Sequence, residues 1–156
     1  MTPKAYQSFW RYALNILAHR DYCQQQVRQK LQQRETPADG IDYIIQRLLD
    51  LNYLDDHRFT QNFFRMQLSR GQSLKHIAYK AQSKGVTRNH IELVLAELHD
   101  VQDDTSVCKA LISKRDPQNL YQHDTKKKRR LMHFLQRRGF DADSILRAFY
   151  DLEQET

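Results

Sequence analysis

Apolar residues recur along this chain at the three- and four-residue intervals that place side chains on one face of an amphipathic helix. Three stretches share the spacing i, i+3, i+4, i+7: Ile41, Ile44, Ile45 and Leu48; Ile91, Val94, Leu95 and Leu98; and Ile145, Ala148, Phe149 and Leu152. A second amphipathic segment precedes each of them: VRQKLQQRE (27–35), IAYKAQSKG (77–85) and LMHFLQRRG (131–139). These copies align without a gap, which indicates an internal repeat.

A further helix is predicted ahead of each such pair, over roughly residues 5–19, 56–70 and 104–115. The pattern therefore predicts an all-α protein of three tandem three-helix repeats, which span residues 1–54, 55–102 and 103–156. A unit of about fifty residues buries little apolar surface by itself. We therefore expect the repeats to stack on their neighbours and form an elongated, curved body.

The joint between the second and third helix of each repeat has the residues of a helix C-terminus. Lys84-Gly85 and Arg138-Gly139 place a cation at the helix end and a glycine where the chain turns through positive φ. The first repeat has Arg34-Glu35 instead, which predicts a less tight turn. Six extra residues in the third repeat, around RDPQNLYQHD (115–124), predict a surface loop.

Two aspartate pairs, Asp55-Asp56 and Asp103-Asp104, stand at the start of the first helices of repeats two and three. Carboxylates at this place accept backbone N–H bonds and favour the positive end of the helix dipole. Because no partner acid, base or metal ligand recurs beside them, we interpret both pairs as caps and expect no catalytic residue, cofactor or metal ion. Ser73 also suits an N-cap, with Asp21 favoured over Cys23 in the first repeat.

Composition narrows the class of protein. Four glycines and three prolines are few for 156 residues, which favours helices over sheets. The chain has no apolar run of membrane-spanning length and no signal-peptide pattern at its N-terminus, so a cytoplasmic protein is expected. Cys23 and Cys108 lie too far apart in sequence for a paired motif.

The net charge of +6 indicates a polyanionic partner such as DNA, RNA or a nucleoprotein.

The densest run of cations lies in DTKKKRRLMHFLQRRG (124–139), where residues 125 to 140 include no carboxylate. A solvated helix face usually interleaves acids with its cations, so this segment is predicted to face phosphates or an acidic protein surface. The predicted basic site comprises Lys126, Lys127, Lys128, Arg129, Arg130, Arg137 and Arg138, together with Arg70, Lys75, Lys80 and Lys84. An exposed Tyr79 or Tyr121 among these cations would suit base stacking.

A helix-turn-helix DNA reader is the main alternative. In AQSKGVTRNHI, the residues Ala81, Gly85 and Ile91 fall at the packing positions of that motif. The same spacing returns in the third repeat, and the supposed reading helix continues into Glu92 and Glu97, which face phosphates poorly. We therefore favour a repeated scaffold element.

Four segments together resemble the RecX family, the bacterial regulators of the RecA recombinase: LNYLDDHRF (51–59), RGQSLKHIAYKAQSKGV (70–86), ALNILAHRDY (13–22) and RRGFDADSI (137–145). The resemblance spans nearly the whole chain and departs from the family at Cys23, often a hydroxyl cap, and at Glu35, where the repeats favour glycine.

The resemblance implies tandem three-helix repeats, no enzymatic activity, and a partner. That partner is the RecA filament on single-stranded DNA, bound in its groove with weak, sequence-independent contacts to the DNA. It implies inhibition of filament extension, ATPase, strand exchange and co-protease activity in the SOS response, and we expect a monomer. A free DNA-binding regulator and a purely protein-binding scaffold stay open as alternatives.

Overall fold

The computed structural model describes residues 2–98 and 103–155, and these contain nine α-helices and no strand. The helices are α1 (Gln7–His19), α2 (Gln24–Gln33), α3 (Ala38–Asp50), α4 (Asp56–Ser69), α5 (Leu74–Ser83), α6 (Arg88–Leu98), α7 (Asp104–Arg115), α8 (Thr125–Arg137) and α9 (Ala142–Gln154). We call α1–α3, α4–α6 and α7–α9 repeats 1, 2 and 3. The all-α prediction is confirmed, while the repeat boundaries after residues 54 and 102 stay a prediction.

Packing groups the described residues into two compact units. The first takes in Met1–Phe63 and Ala81–Ile91, and the second takes in Phe64–Lys80 and Glu92–Thr156. In the first unit, the predicted apolar face of α3 is buried against Val27 and Leu31 of α2. In the second unit, the predicted face of α9 is buried against Leu131 and Leu135 of α8. Burial of each such side chain contributes about 1.5–3 kcal/mol, so these faces supply most of the driving force for packing.

The turn after the second helix has the same geometry in all three repeats. Gly85 and Gly139 adopt φ of +100° and +93°, and Glu35 adopts a left-handed φ of 58° at the equivalent place. The Glu35 N–H donates to the Gln32 carbonyl at 2.9 Å, as the Gly139 N–H donates to that of Gln136 at 3.0 Å. The expectation of a less tight first turn is therefore wrong.

The insertion of repeat 3 is anchored in the core, although it was predicted to be a surface loop. Asp116 is buried, and its carboxylate accepts hydrogen bonds from the backbone N–H groups of Leu120 and Tyr121 at 3.1 and 2.9 Å. The Tyr121 ring is 1% exposed and packs edge-on against Phe149, with the ring centroids 4.9 Å apart. Only the outer residues of this segment form the predicted surface loop, because Asp116 turns the chain back into the core.

The two members of each aspartate pair cap different helices. Asp55 and Asp103 accept from the N–H groups of Arg58 and Ser106, three residues later, and so cap α4 and α7 as predicted. Asp56 instead accepts from the N–H of Gln24 at 2.8 Å, at the start of α2.

Asp104 makes the equivalent bond in repeat 3. It accepts from the N–H of Leu74 at 2.9 Å, at the start of α5. Each second aspartate therefore caps the second helix of the preceding repeat. Burial raises the pKa of both carboxyl groups, and their helix N–H bonds offset only part of that rise.

Side chains at the N-termini of α2 and α5 form further contacts between successive repeats. Ser73 is the N-cap of α5, because its hydroxyl accepts from the His76 N–H at 3.0 Å, and it donates to the Gly139 carbonyl at 2.8 Å. Cys23 takes this place in repeat 1, with its thiol 3.3 Å from the Lys84 carbonyl oxygen. Cys23 is the residue at the N-cap position of α2, so the expectation that Asp21 takes this role is wrong.

Candidate nucleic-acid interface

Helix α8 carries an exposed cationic face. Asp124 starts the helix by accepting from the N–H groups of Lys126 and Lys127 at 3.0 and 3.1 Å. The apolar residues Leu131, Phe134 and Leu135 turn into the core, which directs the remaining face outward. That outward face comprises Lys126, Arg129, Arg130, His133 and Arg137, all exposed.

Lys126, Arg129, Arg130 and Arg137 are the basic residues of this face. In residues 2–98 and 103–155 no carboxylate forms an ion pair with Lys126, Arg129, Arg130 or Arg137. Arg129 and Arg130 follow Lys126 by three and four residues, and Arg137 follows Arg130 by seven, so the four cations lie on one side of the helix. Such a row matches a phosphate backbone better than an inert surface. We call these four residues the α8 cation face.

Two cations of the predicted site have acidic partners instead. The Lys127 ammonium lies 3.4 Å from the buried Asp116 carboxylate, and the Lys128 ammonium lies 3.3 Å from that of Glu153. Lys128 also lies over the Phe149 ring, 5.2 Å from its centroid. These two lysines therefore hold the insertion and α9 against α8, and they are less available to an external phosphate.

Arg70 and Arg138 belong to a separate groove within the second unit. The end of α4, the outer side of α7 and Phe134 of α8 line this groove, which has a volume of about 620 Å³. A guanidinium N–H of Arg138 donates to the Arg70 carbonyl oxygen. The Arg138 side chain is thereby held against the Arg70 backbone in the lining of the groove.

Two further cations, Lys114 and Arg115, line the same groove, and the predicted site does not include them. The Arg115 guanidinium carbon lies 3.6 Å from the centroid of the Phe134 ring, and that of Arg138 lies 5.0 Å from it. The available sequence signal was a pair of cations in the last turn of α7, which by itself is typical of an ordinary helix C-terminus.

The remaining predicted cations are placed in three settings. Lys75 lies near Asp141, whose pKa is lowered mainly by the hydrogen bond from the Ser144 N–H and further by the Lys75 charge. Lys80 is half-buried on α5. Lys84 belongs to the first unit, where it lines a second groove of about 340 Å³.

Known proteins resemble this chain along most of its length. Residues 10–48 match the first three-helix domain of RecX, and residues 102–149 match the third three-helix domain of RecX. The "Regulatory protein RecX" of Trichlorobacter lovleyi is 32% identical over 145 residues, covering 88% of this chain and 90% of that protein. The chain belongs to the RecX family. The RecX regulator of Haemophilus influenzae (strain PittGG) is 27% identical over 137 residues, covering 87% and 89% of the two chains.

Solved structures of RecX share the fold. The crystal structure of RecX from Lactobacillus salivarius superimposes with a TM-score of 0.79 over 96% of this chain and 97% of that chain, at 24% identity. A second crystal structure of regulatory protein RecX gives a TM-score of 0.71 over 92% of this chain and 71% of that chain, at 18% identity. Both confirm the all-α repeat architecture of this RecX-family chain.

Two alternative sites find little support in this RecX-family structure. The exposed side of α6 presents donors only in its first turn, at Arg88 and Asn89, and continues into Glu92, Leu93 and Glu97, where a major-groove reader needs further donors. Of the two tyrosines with predicted base-stacking roles, Tyr79 is 71% exposed and Tyr121 is buried. Only Tyr79 therefore has a ring face that a base can reach.

Other chemistry is limited in the part of the chain that the structure describes. No group of three or more histidines, cysteines or acids is arranged to hold a metal ion there. No helix in the described ranges is both long and apolar enough to cross a membrane. Cys108 is buried, and burial raises the pKa of its thiol to about 12, so this thiol stays protonated.

Proposed function

We propose that this RecX-family protein is a negative regulator of the RecA recombinase. It binds the RecA filament on single-stranded DNA along the filament groove, and it inhibits filament extension, ATPase, strand exchange and co-protease activity. It acts in the cytoplasm as a monomer, during the SOS response, and catalyses no reaction of its own. The observation that supports the proposal is the α8 cation face, which is exposed and has no acidic ion-pair partner among the described residues, in a chain whose relatives are RecX regulators.

Charge and geometry agree with this mode of binding. The α8 cation face is a row of exposed lysines and arginines, so we expect its contacts to DNA to be mainly electrostatic contacts to phosphates, which are independent of sequence. Binding that is stronger to a filament that has stopped growing than to a growing one shifts the population toward the stopped state. Such a regulator needs neither a pocket for a small substrate nor a cofactor.

The experiment is RecA ATPase on single-stranded DNA, with the purified protein added at substoichiometric ratios to filaments that have already assembled. We expect a progressive fall in the rate. The double variant Arg129→Glu/Arg130→Glu should require at least about tenfold more protein for the same inhibition, because each reversed cation also repels phosphate. Arg147→Glu, an exposed charge reversal on α9, is the matched control.

The outcomes separate the candidate functions. No inhibition at saturating protein would overturn the RecA proposal. Full inhibition by the Arg129→Glu/Arg130→Glu variant would remove the α8 cation face from the contact. The alternative of a helix-turn-helix regulator rests on the exposed Arg88 and Asn89 at the start of α6, and it predicts sequence-selective binding to duplex DNA that depends on these residues.

A further inference from the structure

The groove between α4, α7 and α8 combines a cationic rim with an apolar floor. The rim comprises Arg70, Lys114, Arg115 and Arg138, and the floor comprises Leu68, Val107, Ala110 and Leu111. Among the residues that the structure describes, no carboxylate lines this groove. Its volume of about 620 Å³ lies within the range of about 300–1,000 Å³ that concave ligand sites occupy.

Single-stranded nucleic acid fits this groove poorly. Proteins that hold unpaired bases offer them an exposed aromatic face for stacking. The aromatic residue that lines this groove, Phe134, is 7% exposed, and the guanidinium groups of Arg115 and Arg138 already lie over its ring. Phosphates would meet the rim, but they would leave the aliphatic floor in contact with water.

An acidic peptide matches both parts of the groove. Carboxylates can pair with the guanidinium and ammonium groups of the rim, where Arg115 and Arg138 are positioned by the Phe134 ring and the Arg70 carbonyl. A single aliphatic side chain between those carboxylates can lie on Leu68, Ala110 and Leu111.

We propose that the groove of α4, α7 and α8 is a docking site for an acidic protein segment that carries an apolar anchor residue among its carboxylates. This site is separate from the α8 cation face and goes beyond the proposed function. The protein would thus contact nucleic acid through one surface of the second unit and a protein partner through another.

The test is fluorescence polarisation with a short labelled peptide in which aspartates flank one leucine. We expect binding that weakens at least about tenfold in Lys114→Glu/Arg115→Glu, because the rim cations become repulsive. Ala110→Trp fills the floor and should weaken binding by a similar factor. Arg147→Glu and Arg129→Glu are matched controls, one outside both surfaces and one on the α8 cation face, and we expect changes of less than about twofold.

A companion peptide with serine in place of leucine tests the floor, and we expect it to bind about tenfold more weakly or worse. Equal binding of both peptides would overturn the proposal, because charge alone would then explain the affinity. Unchanged affinity in Lys114→Glu/Arg115→Glu would also overturn it.

The rival ligand is tested with labelled oligothymidylate. If it binds the wild type and loses affinity in the groove variants but not in Arg129→Glu, the groove is a nucleic-acid site and the proposal fails. Circular dichroism reports whether each variant folds. If Ala110→Trp does not fold, the exposed Lys114 and Arg115 pair carries the test.

Discussion

The Asp104 carboxylate accepts a hydrogen bond from the backbone N–H of Leu74 at 2.9 Å, although thirty residues separate the two in the chain. Asp56 and Gln24, separated by 32 residues, form the same bond at 2.8 Å. In both cases a carboxylate at the first turn of one helix closes the N-terminus of another. Each aspartate pair thereby joins successive repeats at a helix N-terminus, where the first four backbone N–H groups have no partner within the helix.

Asp104→Ala should lower the free energy of unfolding by about 1–2 kcal/mol, because it removes a capping acceptor from α5. Urea unfolding measures the loss, and amide hydrogen exchange locates it. We expect faster exchange at Leu74 in Asp104→Ala, and faster exchange at Ser106 in Asp103→Ala, the control that removes the local cap of α7. An unchanged Leu74 amide in Asp104→Ala would contradict the cross-repeat cap.

Stability should depend on pH through Asp104 with a sign opposite to that of most carboxylates. Its pKa is raised above the ordinary value of 3.8 by burial, so the folded state holds this proton more tightly than the unfolded state. The stabilising contribution is therefore fully present below pH 3.8 and is lost as the pH rises through the folded-state pKa.

Urea unfolding of the wild type and of Asp104→Asn from about pH 3 to pH 7 tests this sign. We expect the advantage of the wild type to shrink as the pH rises. Asp141→Asn is the control with the opposite sign, because the Ser144 N–H bond lowers the pKa of Asp141 and its contribution is lost as the pH falls. Parallel pH profiles for the two variants would refute the assignment.

Gly139→Ala should destabilise the fold by about 2–5 kcal/mol, because two penalties add. The added Cβ would lie 2.5 Å from the His76 Cβ and 2.8 Å from the Ser73 Oγ, at a φ of +93°. Glu35→Gly is the matched control at the same turn position, where φ is 58°, and it should raise stability by up to about 1 kcal/mol. Thermal unfolding measures both changes. A loss in Gly139→Ala no larger than the gain in Glu35→Gly would show that the contact with His76 is unimportant.

The salt dependence of binding to single-stranded DNA should report the α8 cation face. Each of Lys126→Ala and Arg130→Ala is expected to reduce the slope of log affinity against log salt by about 0.7, the value for one lost phosphate contact. Lys128→Ala is the control of equal charge, and we expect a smaller change because Glu153 already pairs with Lys128. Titrations at several salt concentrations measure the slopes. A slope reduction of about 0.7 in Lys128→Ala as well would argue that Glu153 does not hold this lysine in solution.

Asp116→Ala should cost about 3 kcal/mol, because it leaves the backbone N–H groups of Leu120 and Tyr121 without an acceptor. Asp116→Asn keeps one acceptor oxygen and should cost less. Burial raises the pKa of Asp116, but the two N–H bonds and Lys127 outweigh this and lower it, so its contribution disappears as the solution is made acidic. Urea unfolding at neutral and acidic pH tests the magnitude and the sign. A larger loss in Asp116→Ala at acidic pH would contradict them.

Local signals predicted the helices well. The predicted helix 104–115 coincides with α7, because its cap and its end are encoded by neighbouring residues such as Asp103. The burial of Ile145 and Phe149 followed equally from helical spacing. The Glu35 turn did not follow, since Glu35 itself is exposed and its left-handed φ accompanies the hydrogen bond from the buried Thr36 N–H to the Leu31 carbonyl rather than a preference of its own.

The site was less predictable because its geometry depends on residues distant in sequence. The run of cations at 126–130 looked uniform, yet Asp116 and Glu153 from outside the helix divide it into paired and exposed members. The role of Lys114 and Arg115 arises only when α4, α7 and α8 come together. The density of cations can thus be predicted from a sequence, whereas the fold determines which acidic residue pairs with each cation.

Because carboxylates of the following repeat cap α2 and α5, the capping of these helices depends on the order in which the chain is synthesised. The ribosome synthesises the chain from its N-terminus, so the Leu74 N–H lacks this acceptor until Asp104, thirty residues later, has emerged. Helix α2 likewise lacks its cap from Asp56 until that residue has been synthesised. Helix α8 has its cap as soon as it forms, because Asp124 directly precedes it. The second helices of repeats 1 and 2 therefore gain these caps only after the start of the following repeat has been synthesised.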